Sequence, residues 1–267
     1  MVGGLKVLWE FKQIRSLGVP LFFLWSILSL PYKARGLVLK ALGESSKKHG
    51  FSYHEYLWRV SKAFHLPDFL PFKIEECLFQ NPDLHEPEVS RFLSKTYGDL
   101  FVDVGANLGR YTIMLSSNYK RVIAVEPEPN NMKHLMRNLL QAGISNVKLL
   151  QIAISDIEGY VKLYLARHSG GHTIREGYYD NYVKVKSSTL DNVLRDESKV
   201  DLVKVDVEGA EWNVLKGAEK SMHKIRRWMI ELHDLNRKSE LEHLLKSKGY
   251  EVKWLSNKHV YAWREKL

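Results

Sequence analysis

Acidic residues end four apolar runs of the chain and are the first residues whose type and position suggest chemistry: Asp103, Glu126, Asp206 and Glu231. Short apolar runs that alternate with helix-compatible stretches indicate buried strands of a parallel sheet. In such sheets, ligands bind beyond the carboxyl ends of the strands. The sequence therefore predicts that these carboxylates lie along one ligand-binding edge.

The run that contains Asp103 continues into a glycine turn, since residues 101–111 read Phe-Val-Asp-Val-Gly-Ala-Asn-Leu-Gly-Arg-Tyr. A strand, a turn through Gly105 and a helix beyond Gly109 form the arrangement that holds a nucleotide-like cofactor at a helix N-terminus. Glu126 ends the next apolar run, where a carboxylate can accept both hydroxyls of a ribose.

The residues of this turn distinguish between two kinds of cofactor. A dinucleotide fingerprint would place glycines at 107 and 110, whereas this chain has Asn107 and Arg110. A side chain at 107 obstructs a pyrophosphate, and the charge of Asp103 repels it. A ligand that carries an ammonium and a sulfonium suits Asp103, so the turn favours S-adenosylmethionine over NAD.

With these motifs the chain resembles the FkbM family of S-adenosylmethionine-dependent methyltransferases. Three stretches carry the resemblance: 101–111, Val-Ile-Ala-Val-Glu-Pro at 122–127, and Asp-Leu-Val-Lys-Val-Asp-Val-Glu-Gly-Ala-Glu at 201–211. Shorter matching pieces lie at 153–156, 188–191, 214–218 and 230–233. The resemblance extends from about residue 86 to about residue 233, so nothing is implied for residues 1–80.

The resemblance implies the following cofactor-binding residues: Asp103, Gly105, Ala106, Asn107, Gly109, Glu126, Pro127, Ile152, Ala153, Ser155 and Asp156. The backbone at 105–107 would contact the methionine part, Asp103 would order its amino group, and Glu126 would hold the ribose. Residues 152–155 would flank the adenine. Asp156 would either meet the exocyclic amine of the adenine or serve only as a turn residue.

The resemblance also implies O-methylation, because the family is associated with transfer to hydroxyls of sugars and glycan-like acceptors. In this reaction the protein aligns the acceptor and takes its proton. The catalytic candidates are Asp206, Glu208, Glu231 and His233. His233 is favoured as the general base because its unperturbed pKa lies near neutrality.

A second reading of the same residues involves a metal ion. Glu231 and His233 lie two apart on one predicted strand, so their side chains face the same side. With Asp206 they could instead hold a divalent cation that lowers the pKa of the acceptor, and the sequence leaves both readings open. Lys204, within an apolar strand, is expected to pair with Asp201 or Asp206, because an unpaired buried ammonium is costly.

The elements that must position these residues follow from the pattern of apolar residues. Strand and helix patterns alternate beyond the N-terminal third, which predicts an α/β fold with a Rossmann-like class I methyltransferase sheet, mostly parallel and covered by helices on both faces. The pattern also predicts a strand over 147–152, a β-ribbon at 159–165 and 182–187, and a helix over 211–222. A loop with His168, Gly170, Gly171 and His172 is either a lid over the acceptor or an exposed hairpin turn.

We divide the chain into an N-terminal helical region, residues 1–84, and an S-adenosylmethionine-binding domain, residues 85–267. The net charge of the whole chain is +9, and residues 1–62 supply +7 of it, with ten Lys/Arg against three Glu. Such an asymmetry indicates an anionic partner surface. The apolar run Leu21–Leu30 is shorter than the about 20 residues that cross a bilayer.

Two interpretations of this apolar run remain open. It is either a helix buried against the catalytic domain or a segment whose apolar side enters a membrane surface while Lys and Arg meet anionic lipid. The lone Cys77 permits no intramolecular disulfide and indicates a reducing compartment. We therefore expect a cytoplasmic enzyme, with peripheral membrane contact under the second interpretation.

Two further functions compete with a sugar O-methyltransferase. One is an RNA methyltransferase that uses residues 1–62 as an RNA-binding appendage, but the sequence has no Asn-Pro-Pro-Tyr-like motif and no recognisable RNA module. The other is a non-catalytic cofactor-binding relative, against which the set of Asp103, Glu126 and Asp206 argues. The acceptor, the metal dependence and the oligomeric state are left open by the sequence.

Overall fold

A computed structural model describes residues 86–166 and 169–265. The strands are β1 (Gly98–Val104), β2 (Tyr119–Val125), β3 (Val147–Leu150), β4 (Ala153–Ile154), β5 (Gly159–Tyr164), β6 (Tyr182–Ser188), β7 (Leu202–Val205), β8 (Arg227–Glu231), β9 (Glu251–Trp254) and β10 (His259–Trp263). The helices are α1 (Pro87–Leu93), α2 (Arg110–Leu115), α3 (Pro129–Gln141), α4 (Leu190–Val193), α5 (Glu211–Lys216) and α6 (Lys238–Ser247). The predicted alternation of strands and helices is confirmed.

Among the described residues, seven strands form one sheet in the order β3-β2-β1-β7-β8-β10-β9. The pairs among β3, β2, β1, β7 and β8 are parallel, whereas β10 is antiparallel to both of its neighbours. The direction of the strand order reverses at β1, which lies between β2 and β7. This reversal opens a crevice at the carboxyl ends of those strands, as in other doubly wound sheets.

A second sheet has three strands in the order β4-β6-β5 among the described residues. Strands β5 and β6 are antiparallel, which confirms the predicted ribbon. The predicted strand over 147–152 is shorter in the structure, because β3 ends at Leu150 and the next strand begins at Ala153, which pairs with Ser187 of β6. The chain thus leaves the large sheet after Leu150 and starts the small one.

The helix predicted over 211–222 is shorter in the structure, since α5 ends at Lys216. Gly217 follows, and an added Cβ there would lie 2.1 Å from the carbonyl oxygen of Ser155. The Asp191 carboxylate then accepts the backbone N–H groups of Lys220 and Ser221, at 3.1 and 2.7 Å. Close packing against Ser155 and this side-chain cap end the helix earlier than its apolar spacing predicts.

The core of the domain consists of strand residues that are buried on both faces of the large sheet. Phe101, Leu202 and Trp228 are fully buried, as expected for a parallel sheet covered by helices. No helix of the described residues is long and apolar enough to cross a membrane. The expectations for residues 1–84, including the apolar run and Cys77, concern residues outside the described part of the chain.

Candidate functional site

A cleft lies beyond the carboxyl ends of β1, β2 and β7, which is the place where ligands bind in doubly wound sheets. Its predicted residues are Gly105, Asn107, Glu126, Pro127, Ile152, Ala153, Asp206 and Glu208. The structure therefore brings cofactor candidates and catalytic candidates into one cavity. Asp103, Ala106, Gly109, Ser155, Asp156, Glu231 and His233 are not part of its lining.

Two glycines of the turn after β1 allow neighbouring elements to pack closely against it. Gly105 has a φ of +82°, and an added Cβ would lie 1.8 Å from the carbonyl oxygen of Asp206. Gly109 has a φ of +96°, and its added Cβ would lie 2.3 Å from Cδ1 of Leu135 on α3. These two glycines let the ends of β1 and β7 approach each other and let α3 pack on the turn.

Asn107 and Glu126 are joined by a hydrogen bond at the floor of the cleft. The Asn107 N–H donates to Glu126 Oε2 at 2.8 Å, and the Glu128 N–H donates to Oε1 at 2.9 Å. The amide of Asn131 donates to Oε1 at 3.4 Å and to the carbonyl of Ser169 at 2.9 Å. Burial raises the pKa of Glu126 to about 7, although the two backbone N–H donors oppose the shift.

Asp103 lies behind the cleft wall and is fully buried. Its Oδ2 accepts a hydrogen bond from Thr112 Oγ1 at 2.6 Å, and its Oδ1 has no hydrogen-bond partner among the described residues. Burial raises the pKa of Asp103, while the charge of Lys204 opposes the shift. Asp103 is not among the residues that line the cleft, and its contact with the amino group of the cofactor stays a prediction.

The adenine-side residues divide into two groups. Ile152 and Ala153 line the cleft, as does Pro127 on the facing turn. Ser155 and Asp156 lie outside it: Asp156 Oδ1 accepts hydrogen bonds from Ser155 Oγ at 3.0 Å and Asn213 Nδ2 at 2.9 Å. The Asn213 bond is the largest cause of the lowered pKa of Asp156. These contacts fit the interpretation of Asp156 as a turn residue.

The acidic turn after β7 forms the opposite end of the cleft. Asp206 accepts a hydrogen bond from Lys204 Nζ at 3.0 Å, and Lys204 itself is 3% exposed. The pairing of Lys204 predicted from the sequence is confirmed with Asp206, whereas Asp201 accepts the backbone N–H of Asp99 at 2.6 Å. Glu208 has a φ of +52°, a conformation uncommon for a non-glycine residue and concentrated at functional sites.

His233 lies behind this turn, between two carboxylates. Its Nδ1 is 2.8 Å from Glu211 Oε1, and its Nε2 is 3.1 Å from Glu208 Oε2. Burial alone would lower the pKa of His233, but the hydrogen bonds and charges of both glutamates raise it to about 11. The expectation of a near-neutral pKa is therefore wrong for this arrangement, in which His233 is an imidazolium at neutral pH and cannot take a proton.

Glu231 lies next to two further basic side chains besides His233. It ends β8, is buried, and forms ion pairs with Lys258 and with His259 Nε2, the latter at 3.3 Å. His233 lies beyond the end of β8, so the two residues do not share a strand, but their side chains approach each other as predicted. The His233 Nε2 atom is 3.6 Å from Glu231 Oε1 and is nearer to Glu208.

The set of residues that could hold a divalent cation also changes. Among the described residues, ligand atoms of Asp206, Glu208 and His233 lie within 4.8 Å of one another, whereas Glu231 does not complete that set. Two carboxylates and one imidazole are ligands that divalent cations accept. However, a cation would have to displace the proton of His233 and compete with Lys204 for Asp206.

Residues that the sequence did not single out form the second wall of the cleft: Leu163, Ser169, Thr173 and Ile174, together with Gly170 and His172 of the predicted loop. His168 of that loop lies outside the described residues. The Nδ1 atom of His172 accepts the backbone N–H of Ala166 at 3.0 Å. The Gly-Gly-His sequence was thus the feature from which this wall could be predicted. No feature of the sequence pointed to Asn131 on α3, which also lines the cleft.

Comparison with known proteins identifies the family. A family model described as the methyltransferase FkbM domain matches residues 103–252, more than half of the chain. Methyltransferase sdnD of Sordaria araneosa is 30% identical over an alignment of 189 positions, and the match covers 57% of this chain and 73% of that protein. Hexuronic acid methyltransferase AglP of Haloferax volcanii is 27% identical over 139 residues, covering 51% of this chain and 56% of that protein.

Among solved structures, the methyltransferase FkbM of Methylobacillus flagellatus KT has a TM-score of 0.46 and 18% sequence identity to this chain. The likeness covers 73% of this chain and 54% of that structure. The family model spans both the glycine turn and the acidic turn that bound the cleft. The chain therefore belongs to the FkbM methyltransferase family.

Proposed function

We propose that this protein is an S-adenosylmethionine-dependent O-methyltransferase that acts on a hydroxyl group of a sugar, glycan or glycolipid. The observation that carries the proposal is the single cleft that contains Glu126 at one end and Asp206 with Glu208 at the other. The first carboxylate suits a ribose, and the second pair suits an acceptor hydroxyl. A relative named as a hexuronic acid methyltransferase supports a sugar acceptor.

The residues at the cofactor end fit S-adenosylmethionine. Asn107 lines the cleft, and its Oδ1 atom is buried without a hydrogen-bond partner among the described residues, so it can accept a hydrogen bond from an ammonium or a hydroxyl. Glu126 Oε1 already accepts from the Glu128 N–H and the Asn131 amide, whereas Oε2 accepts from the Asn107 N–H and retains a lone pair for a ribose hydroxyl. When bound, S-adenosylmethionine supplies an electrophilic methyl group.

Glu208 is our candidate for the group that takes the acceptor proton. It lines the cleft, and burial raises its pKa, while its hydrogen bond to His233 opposes the shift. A carboxylate with a raised pKa is a better base than an exposed one. With the cofactor bound, the Glu208 carboxylate would accept the proton that the acceptor hydroxyl loses on methylation.

The remaining side chains hold this base in place. The His233 imidazolium donates to both Glu208 and Glu211 and offsets part of their negative charge. Glu211 also accepts the backbone N–H of Gly209 at 2.8 Å, which fixes the turn. Asp206, paired with Lys204, is held as an anion that can orient the acceptor hydroxyl. His233 is therefore a positioning residue in this proposal.

The test is methyl transfer from labelled S-adenosylmethionine to glycan, lipid and RNA fractions. We expect label in a sugar-containing fraction, and Glu208→Gln should reduce kcat by about a hundredfold while leaving cofactor affinity within a few fold. Glu219→Gln, at an exposed position outside the cleft, is the matched control. Label confined to RNA would instead support the RNA methyltransferase, and an unchanged kcat in Glu208→Gln would remove Glu208 from the mechanism.

A further inference from the structure

Arg175 lies beside the acidic turn that follows β7, although it is not itself among the residues that line the cleft. It follows Ile174, which lines one wall, and its side chain lies against Gly209, between two lining residues of the other wall, Glu208 and Ala210. An added Cβ at Gly209 would lie 3.5 Å from Arg175 Cδ and 3.7 Å from Arg175 Nη1. The guanidinium is thus held next to the acidic turn at the acceptor end.

The segment that carries Arg175 is anchored to the small sheet. The Arg175 N–H donates to Thr173 Oγ1 at 3.1 Å. Thr173 in turn exchanges two backbone hydrogen bonds with Tyr164 of β5, at 2.7 and 3.1 Å. The guanidinium lies over the ring of Tyr178, 5.4 Å from its centroid. These contacts preorganise a cation at the mouth of the cleft.

The acids near Arg175 already have other partners. Glu208 and Glu211 share His233, and Asp206 is paired with Lys204. Arg175 itself is exposed and forms no ion pair within the part of the chain that the structure describes. Its planar donors match the two oxygens of a carboxylate, which an arginine binds in bidentate fashion.

We propose that Arg175 binds a carboxylate of the acceptor, so that the enzyme prefers an acidic saccharide, such as a uronic acid, over the neutral sugar of the same shape. This inference rests on the proposed O-methyl transfer to a sugar hydroxyl and adds the specificity of that site. The carboxylate contacts Arg175 at the rim while the neighbouring hydroxyl reaches Asp206 and Glu208 inside.

Two glycosides that differ at one carbon test this role: p-nitrophenyl β-D-glucuronide and p-nitrophenyl β-D-glucoside. Each is assayed with labelled S-adenosylmethionine and the full chain. We expect a higher kcat/KM for the glucuronide, and Arg175→Met should raise its KM about tenfold without changing the kinetics of the glucoside. Arg175→Lys should restore part of the preference, since it keeps the charge but loses the bidentate geometry.

Lys162→Met is the matched control, because it also removes one exposed cation. Lys162 lies on β5, the strand to which the segment with Arg175 is hydrogen-bonded. The variant should leave both substrates unaffected. Equal use of the two glycosides, or an equal effect of Arg175→Met on both, overturns the role of Arg175 and leaves the proposed function intact.

Absence of transfer to any sugar acceptor would overturn the proposed function instead. In that case the role of Arg175 is tested by binding instead of turnover. Isothermal titration calorimetry measures the affinity of the two glycosides in the presence of S-adenosylhomocysteine. Tighter binding of the glucuronide that is lost in Arg175→Met supports the proposal. Equal binding, or binding of neither glycoside, overturns it.

Discussion

Glu126 and Glu208 both have raised pKa values because burial removes their carboxyl groups from water. The consequences differ with their neighbours. Backbone N–H groups hold Glu126 from two sides, whereas the His233 imidazolium holds Glu208. His233 shows why a side chain's role could not be predicted from residue type alone: two glutamates turn a nominal base into a fixed cation, and one of them, Glu211, belongs to the next helix.

The affinity for the cofactor should depend on pH through Glu126. Its pKa in the folded protein is about 7, so the carboxylate is largely ionised at pH 8 and largely protonated at pH 6. Ribose hydroxyls donate to the ionised form, and binding should therefore weaken as the pH falls through 7. We expect the Kd of S-adenosylhomocysteine to be about tenfold higher at pH 6 than at pH 8.

Isothermal titration calorimetry across this range measures the effect, with Glu126→Gln as the control. The amino group of the ligand also titrates, but it does so in both proteins, so the difference between their pH profiles isolates Glu126. The variant should bind more weakly at pH 8 and show a flatter profile. Parallel profiles in the two proteins would contradict the assignment of Glu126 to the ribose.

At the scale of elements, the alternation of apolar runs was sufficient to predict the mostly parallel sheet and the ribbon of β5 and β6. The end of α5 and the division between β3 and β4 were not predictable from that pattern. Both depend on contacts distant in sequence: Gly217 against Ser155, and Ala153 against Ser187. Hydrophobic periodicity reports which face of a segment is buried, and it does not report which partner buries it.

Gly109 allows a test of how closely the glycine turn and α3 must pack. Gly109 and Gly143 both have positive φ, at +96° and +66°, but an added Cβ meets Leu135 only at Gly109 and meets nothing within 4 Å at Gly143. Gly143→Ala should therefore cost about 1 kcal/mol from backbone conformation alone. Gly109→Ala should cost about 2 kcal/mol more, because Leu135 must move.

Urea unfolding of the two variants measures this difference in the free energy of unfolding. The double variant Gly109→Ala/Leu135→Ala should lose less free energy of unfolding than the two single variants lose together, since Leu135→Ala removes the side chain that the new methyl group meets. Equal destabilisation by Gly109→Ala and Gly143→Ala would show that the contact with Leu135 is not limiting.

At the scale of the whole molecule, the net positive charge is concentrated in the N-terminal part of the sequence. The net charge is +9, and +7 of it belongs to residues 1–62. The cleft and the family motifs lie within the described residues, whereas the basic residues of 1–62 lie outside them. Leu21–Leu30 is apolar and has Lys and Arg on both sides, so one of its two interpretations predicts contact with an anionic lipid surface.

Flotation of the full chain with liposomes tests this partner. We expect binding to vesicles that contain phosphatidylglycerol and little binding to pure phosphatidylcholine vesicles, because each basic residue near an anionic surface contributes about 1 kcal/mol. Replacing Lys6, Lys12 and Arg15 with Gln should reduce the bound fraction strongly. Replacing Lys162, Lys184 and Lys186 with Gln removes the same charge from exposed positions of β5 and β6 and serves as the control. If both triple variants lose binding equally, net charge alone attracts the lipid; if neither does, the N-terminal basic residues have no part in membrane contact.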